Sequence, residues 1–219
     1  YSTSEPKLEG KNVTASESDR AAVASISNLL RLVSELLNFW AEETPTALQS
    51  GGLGVRDLKK ASEHLGVEEV FTAFIAELAL QVGILNIEAD GRILPNANFD
   101  IFQRKNFEEQ WRDLVSSWQV TSRVSGLIGR LESRNLTALG SELDRANAAR
   151  IRKIILGTLK SSISPSIESL TRAARWHYPH RRALAINTET VGWTAREAEW
   201  LGITGAGALS TFGKKYLSG

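Results

Sequence analysis

A mostly α-helical fold with one small β-hairpin is predicted by three features of this 219-residue sequence. Apolar residues recur at steps of three and four along most of the chain, and glycines punctuate those stretches. A single Asp-Gly pair, Asp90-Gly91, sits between two short β-prone runs. Hydrophobic residues make up 42% and charged residues 23%, as in an ordinary folded domain and unlike a disordered chain.

Residues 1–17 are rich in Ser, Lys, Glu and Gly and read as a disordered lead-in. From Ser18 the apolar residues Val23, Ile26, Leu30, Val33, Leu37 and Trp40, widened by Leu29 and Leu36, mark one helix that Pro45 stops. The stripe covers too few heptads for a coiled coil, so the helix is expected to pack within its own chain. After Gly51, Gly52 and Gly54, Val55 to Leu65 form a short helix that Gly66 ends. Val67 to Val82 restart the helical period, with Glu68 and Glu69 at the positive end of the helix dipole. Ile84 to Glu88 and Arg92 to Pro95 then flank the Asp-Gly turn as a hairpin. Helix, helix through a Gly-containing turn, then hairpin is the layout of a winged helix-turn-helix. Phe107 to Trp118 add a helix whose Phe107, Trp111, Leu114, Val115 and Trp118 pack back on that module.

Periodicity weakens over residues 120–141, a connector with a brief helix at Leu127 to Leu131. The expected division is therefore a lead-in at 1–17, a helical and winged-helix module at 18–119, the connector, and a basic helical module at 142–219. In that last module Ser141 to Lys160 read as one helix, and Ser164-Pro165 open another that Tyr178-Pro179 end. Thr194-x-x-Glu197 reads as the capping box of a short helix closed by Gly202, and Leu209 to Leu217 as a final turn or two.

Several chemistries are excluded or disfavoured. Zero cysteines rule out disulfides, thiolate nucleophiles and Cys-ligated metals, and suit a cytoplasmic setting. No run approaches the ~20 apolar residues that span a bilayer, so no membrane partner is expected. Gly207 and Gly213 are five residues apart and Lys214 is followed by Lys215, which fails the phosphate loop in both spacing and hydroxyl. His177 and His180 have no nearby carboxylate to complete a metal site, and no nucleophile elbow is present. The chain reads as a non-enzyme without metal or cofactor. With Tyr at position 1 and no Met, it also reads as a piece of a longer polypeptide.

The net charge of +1 conceals a division. Residues 1–119 hold 11 basic against 18 acidic side chains, and residues 120–219 hold 15 against 7. Residues 172–182 collect Arg172, Arg175, Trp176, His177, Tyr178, His180, Arg181 and Arg182 without one acid. Arginine forks hold phosphates and aromatic faces stack on bases, so this segment fits a nucleic acid. The candidate contacts are Arg172, Arg175, Arg181 and Arg182 for phosphates, Trp176 or Tyr178 for stacking, and Arg150, Arg152 and Lys153 as positioning charges. By contrast Val67 to Val82, in the place of a reading helix, carry Glu68, Glu69 and Glu77 and no Lys or Arg. Arg56, Lys59, Lys60 and Arg92 are then secondary candidates. The competing reading is a protein-interaction scaffold in which helix 18–43 or helix 67–82 docks a partner without DNA contact.

The stretch Gly51-Gly52-Leu53-Gly54-Val55-Arg56-Asp57-Leu58, with Ile93-Leu94-Pro95, resembles actinobacterial helicase-associated proteins that carry an XPB/Ssl-type helicase N-terminal-like domain. Residues 193–210, from Trp193-Thr194-Ala195-Arg196-Glu197 to Gly207-Ala208-Leu209-Ser210, look like a second segment of the same proteins. The resemblance implies a non-motor region of a DNA-repair-type helicase system, with winged-helix modules and no ATP site. Its partners would be DNA and a helicase or repair protein, including the remainder of the same polypeptide.

Overall fold

The computed structural model describes residues 4–129, 135–177 and 186–219. The chain is mostly helical, with small two-stranded antiparallel sheets. In order, the elements are β1 (Gly10–Asn12), α1 (Ala15–Glu42), α2 (Val55–Leu65), α3 (Glu69–Gln81), β2 (Leu85–Ile87) and β3 (Ile93–Pro95). They continue with α4 (Ala97–Arg104), α5 (Phe107–Val120), α6 (Ala148–Thr158), β4 (Ile163–Pro165) and α7 (Ile167–Trp176). Last come α8 (Thr188–Trp200), β5 (Thr204–Gly205), β6 (Ala208–Leu209) and α9 (Thr211–Leu217).

These elements form two compact units. The first joins residues 1–28 to 149–219, and the second is residues 29–148. The boundaries thus fall inside α1 and just within the start of α6, not in the expected connector at 120–141. A helix as periodic as α1 gives no local sign that its two halves serve different cores. The charge asymmetry persists across this division but is smaller, with 14 basic against 8 acidic residues in the first unit and 12 against 17 in the second.

In the second unit the later half of α1 buries Leu29, Leu32, Val33, Leu36, Leu37 and Trp40. Thr46 then bridges to Arg92, α2 crosses to α3, and β2 pairs with β3 in the register Leu85 to Pro95 and Ile87 to Ile93. The predicted boundaries of α2 and of the hairpin match the observed ones closely, because Gly54, Gly66 and Asp90-Gly91 set them locally. Helix α4 is missing from the sequence reading, since an eight-residue helix with two buried aromatics, Phe99 and Phe102, has too short a period to recognise. Helix α3 is buried continuously from Thr72 to Ala79, packed on α2, β2, α5 and the 3-10 turn Ser125–Leu127.

The first unit repeats that order of elements: helix α6, strand β4, helices α7 and α8, hairpin β5 and β6, helix α9. The repetition extends to single hydrogen bonds. Helix α3 ends at Gly83 (φ 80°), where the Ile84 amide donates to Ala79 O; α8 ends at Gly202 (φ 68°), where the Ile203 amide donates to Ala198 O. Both glycines take the left-handed conformation that reverses the chain into the hairpin. After each hairpin the next residue caps a helix and closes back on that turn. Asn96 donates its amide to Ile84 O and Nδ2 to Gly83 O, and accepts from Asn98 N. Ser210 donates its amide to Ile203 O and Oγ to Gly202 O, and accepts from Gly213 N.

Other expectations are corrected along the chain. Residues 10–12 of the lead-in form β1, paired with β4, and α1 starts at Ala15 behind a Thr14 and Glu17 capping box. Residues 141–160 split into a 3-10 turn at Ser141–Leu143 and α6. Thr194 and Glu197 do not start a helix; they are buried in the middle of α8, whose N-cap is Asn187 in a capping box with Thr190. Two polar pairs at the right spacing compete for one start, and the earlier one captures the free amides. Ser164-Pro165 likewise belong to β4, and Ser166 caps α7. The expected end of that helix at Tyr178-Pro179 lies outside the described residues.

Candidate nucleic-acid interface

Helix α6 sorts its basic residues onto two faces. Arg150 and Lys153, three apart, are exposed, and with Ile154, Gly157 and Thr158 they line one wall of an open cleft of ≈ 540 Å³. Residue 152 is rotated to the opposite side, beside the buried Ile155 and Leu156. Arg152 is accordingly 4% exposed, its pKa lowered by desolvation and supported by the charge of Glu197, itself buried. This corrects its assignment as a positioning charge, since a guanidinium in the interior is not presented to a phosphate backbone. Helical phase separates it from Arg150 and Lys153, and only packing reveals which phase is inward.

The end of α7 completes the cleft. His177 caps the helix and lines the same cavity as Arg150 and Lys153. Trp176 stands edge-on to the His177 ring at 5.2 Å and keeps 37% of its surface exposed. It is therefore not core. Arg172 is exposed and lies 3.1 Å from the Glu9 carboxylate, while His177 Nε2 lies 3.1 Å from Glu5. Arg175 is exposed as a residue but donates Nε to the Ile186 carbonyl at 2.6 Å, which ties α7 to the start of α8. Tyr178, His180, Arg181 and Arg182 lie outside the described residues. His177 was not among the sequence candidates; its position after three charged and aromatic residues marked the segment but not the cleft.

The secondary candidates sit on the second unit. Arg56 is exposed on α2. Lys59 faces Glu63 at 4.0 Å, Lys60 pairs with Glu43, and Arg92 pairs with Asp90 at 2.8 Å beside the hairpin turn. Each of the last three thus has a carboxylate beside it, and exposed pairs of this kind contribute under about 1 kcal/mol.

The surfaces proposed for protein docking are largely interior. Apart from Val23 the apolar stripe of α1 is buried, and α3 is buried from Thr72 to Ala79, with Glu68, Glu69 and Val70 exposed at its start. Glu77 in particular is fully buried and accepts from Arg123 Nε at 2.6 Å, Arg123 Nη2 at 2.9 Å and the Leu139 amide at 2.5 Å. Those bonds hold the Arg123 guanidinium above its ordinary pKa against desolvation. Among the described residues no helix is long and apolar enough to cross a membrane, and no three metal-ligating side chains converge. No protein-family model, curated protein or solved structure matches the chain.

Proposed function

We propose that the chain is a non-enzymatic nucleic-acid-binding region built from two winged-helix modules, of which the first unit makes the contact. The observation that carries this is the convergence of Arg150, Lys153 and His177, from the successive helices α6 and α7, on one open cleft within the basic unit. Cations on a shared wall track a phosphate backbone, and the exposed Trp176 beside them offers a face for a base. The second unit keeps the same order of elements but has enclosed the helix that would enter a groove, so its role is structural or directed at a protein. Association with a helicase or repair protein rests on the resemblance of residues 51–58, 93–95 and 193–210.

The test is binding of a fluorescent DNA duplex, and of one of its strands, across a salt series. Wild type should lose affinity steeply with salt. Arg150→Ala, Lys153→Ala and Arg172→Ala together should flatten the duplex slope by about 0.9 per lost contact, about 1.8 from Arg150 and Lys153 alone. Salt-insensitive binding, or a slope unchanged in the triple variant, would refute the assignment.

A further inference from the structure

Part of this cationic face is already met by carboxylates of the same chain. The Glu9 amide donates to Ser169 Oγ at 2.8 Å, and the Ser166 amide donates to Glu9 O at 3.0 Å. The strand β1 continues this ladder along β4, pairing Gly10 with Pro165, Lys11 with Ser164 and Asn12 with Ile163. The backbone comes so close at its first rung that a Cβ on Gly10 would lie 1.9 Å from Ser164 O. The ladder places the Glu9 carboxylate on Arg172 and the Glu5 carboxylate on His177, both at 3.1 Å.

We propose that residues 4–12 are an autoinhibitory strap that occupies Arg172 and His177 and must yield them to a polyanion. The inference rests on the nucleic-acid reading above. Lys7 and Lys11 offset the two glutamates, so the strap leaves the overall field of the unit nearly unchanged. Its action is local. It covers one particular guanidinium and one imidazole. The backbone bonds fix the strap in place, whereas the side-chain pairs are exposed, 52% and 75% for Arg172 and Glu9. Such pairs contribute under about 1 kcal/mol each, and a phosphate backbone with its released counterions outcompetes them. An edge strand of three exposed residues is also among the easiest elements to displace.

Two variants of the full chain separate the effects. Gly10→Val forces β1 off β4 without changing charge, and Glu5→Gln with Glu9→Gln removes the carboxylates but keeps the ladder. Duplex affinity at low salt should rise about fivefold to tenfold in each, and the salt slope should steepen by up to about 0.9 as the Arg172 guanidinium is freed. Adding Arg172→Ala to Gly10→Val should abolish most of the gain. If wild type binds and both variants stay within twofold of it, the strap is only structural and the proposal fails. A gain that survives Arg172→Ala also overturns it, because the source is then not the release of that side chain. If neither wild type nor variants bind duplex or single strand, the nucleic-acid reading itself has failed.

Discussion

The buried pair of Glu77 and Arg123 gives a sharp stability prediction. Arg123 supplies two of the three hydrogen bonds on the Glu77 carboxylate, whose side chain is 1% exposed, and Arg123 is itself only 15% exposed. Arg123→Met leaves that carboxylate with the Leu139 amide as its remaining bond of the three. Stranding one member of a buried pair costs about 3–5 kcal/mol, so the variant should unfold at a clearly lower urea concentration. Adding Glu77→Leu removes the stranded charge but orphans the Leu139 amide, which costs about 1–3 kcal/mol. The double variant should therefore recover about 1 kcal/mol or more relative to Arg123→Met. Urea denaturation followed by far-ultraviolet circular dichroism measures both, with the denaturant slope checked for constancy. A cost below about 1 kcal/mol for Arg123→Met, or a double variant less stable than the single one, would refute the burial argument.

Other consequences can be checked with simpler measurements. Asn96→Ala and Ser210→Ala remove equivalent caps from the two repeats and should each cost about 1 kcal/mol in urea unfolding, with Ser210→Ala the larger because its hydroxyl is fully buried. The Glu17 carboxylate, held below its ordinary value of 4.5 chiefly by the Thr14 amide, stabilises the start of α1 above that value. Its contribution is lost as pH falls through the lowered folded pKa, so the melting temperatures of wild type and Glu17→Gln should differ at neutral pH and converge in acid. Arg152→Met removes the buried charge opposite Glu197 and should destabilise the first unit by about 3 kcal/mol while leaving DNA affinity unchanged. A folded Arg152→Met protein with weakened DNA binding would place that guanidinium at the interface after all.

Much of the helical layout is legible because its punctuation is local. Gly54, Gly66 and Gly83 bound α2 and α3, and Asn106 with Glu109 makes a capping box at the start of α5. Where two local signals compete the sequence is ambiguous, as with Asn187 against Thr194 in α8. Where a signal spans only a turn or two it is silent, as with α4 and the two-residue strands β5 and β6. The lead-in shows a different limit. Nothing in Glu9-Gly10-Lys11-Asn12 signals a strand, because its partner lies more than 150 residues away and pairing energy is not a local quantity.

The basic segment and its aromatic neighbours stand out in the sequence because charge and residue type are additive along a chain. Which of those charges face water is a property of packing. Arg150, Arg152 and Lys153 are nearly indistinguishable in composition, yet the core claims the middle one and leaves the outer two on a cleft with His177. The near-neutral total likewise hides how the chain folds back: residues 1–28 join the later basic part, and two of their glutamates come to rest on Arg172 and His177. Periodicity and capping settle where helices begin and end, since those forces act within a few residues. Tertiary contacts alone decide which faces are inside, which helices pair into units and which charges meet, since those depend on groups that the chain brings together only when it closes.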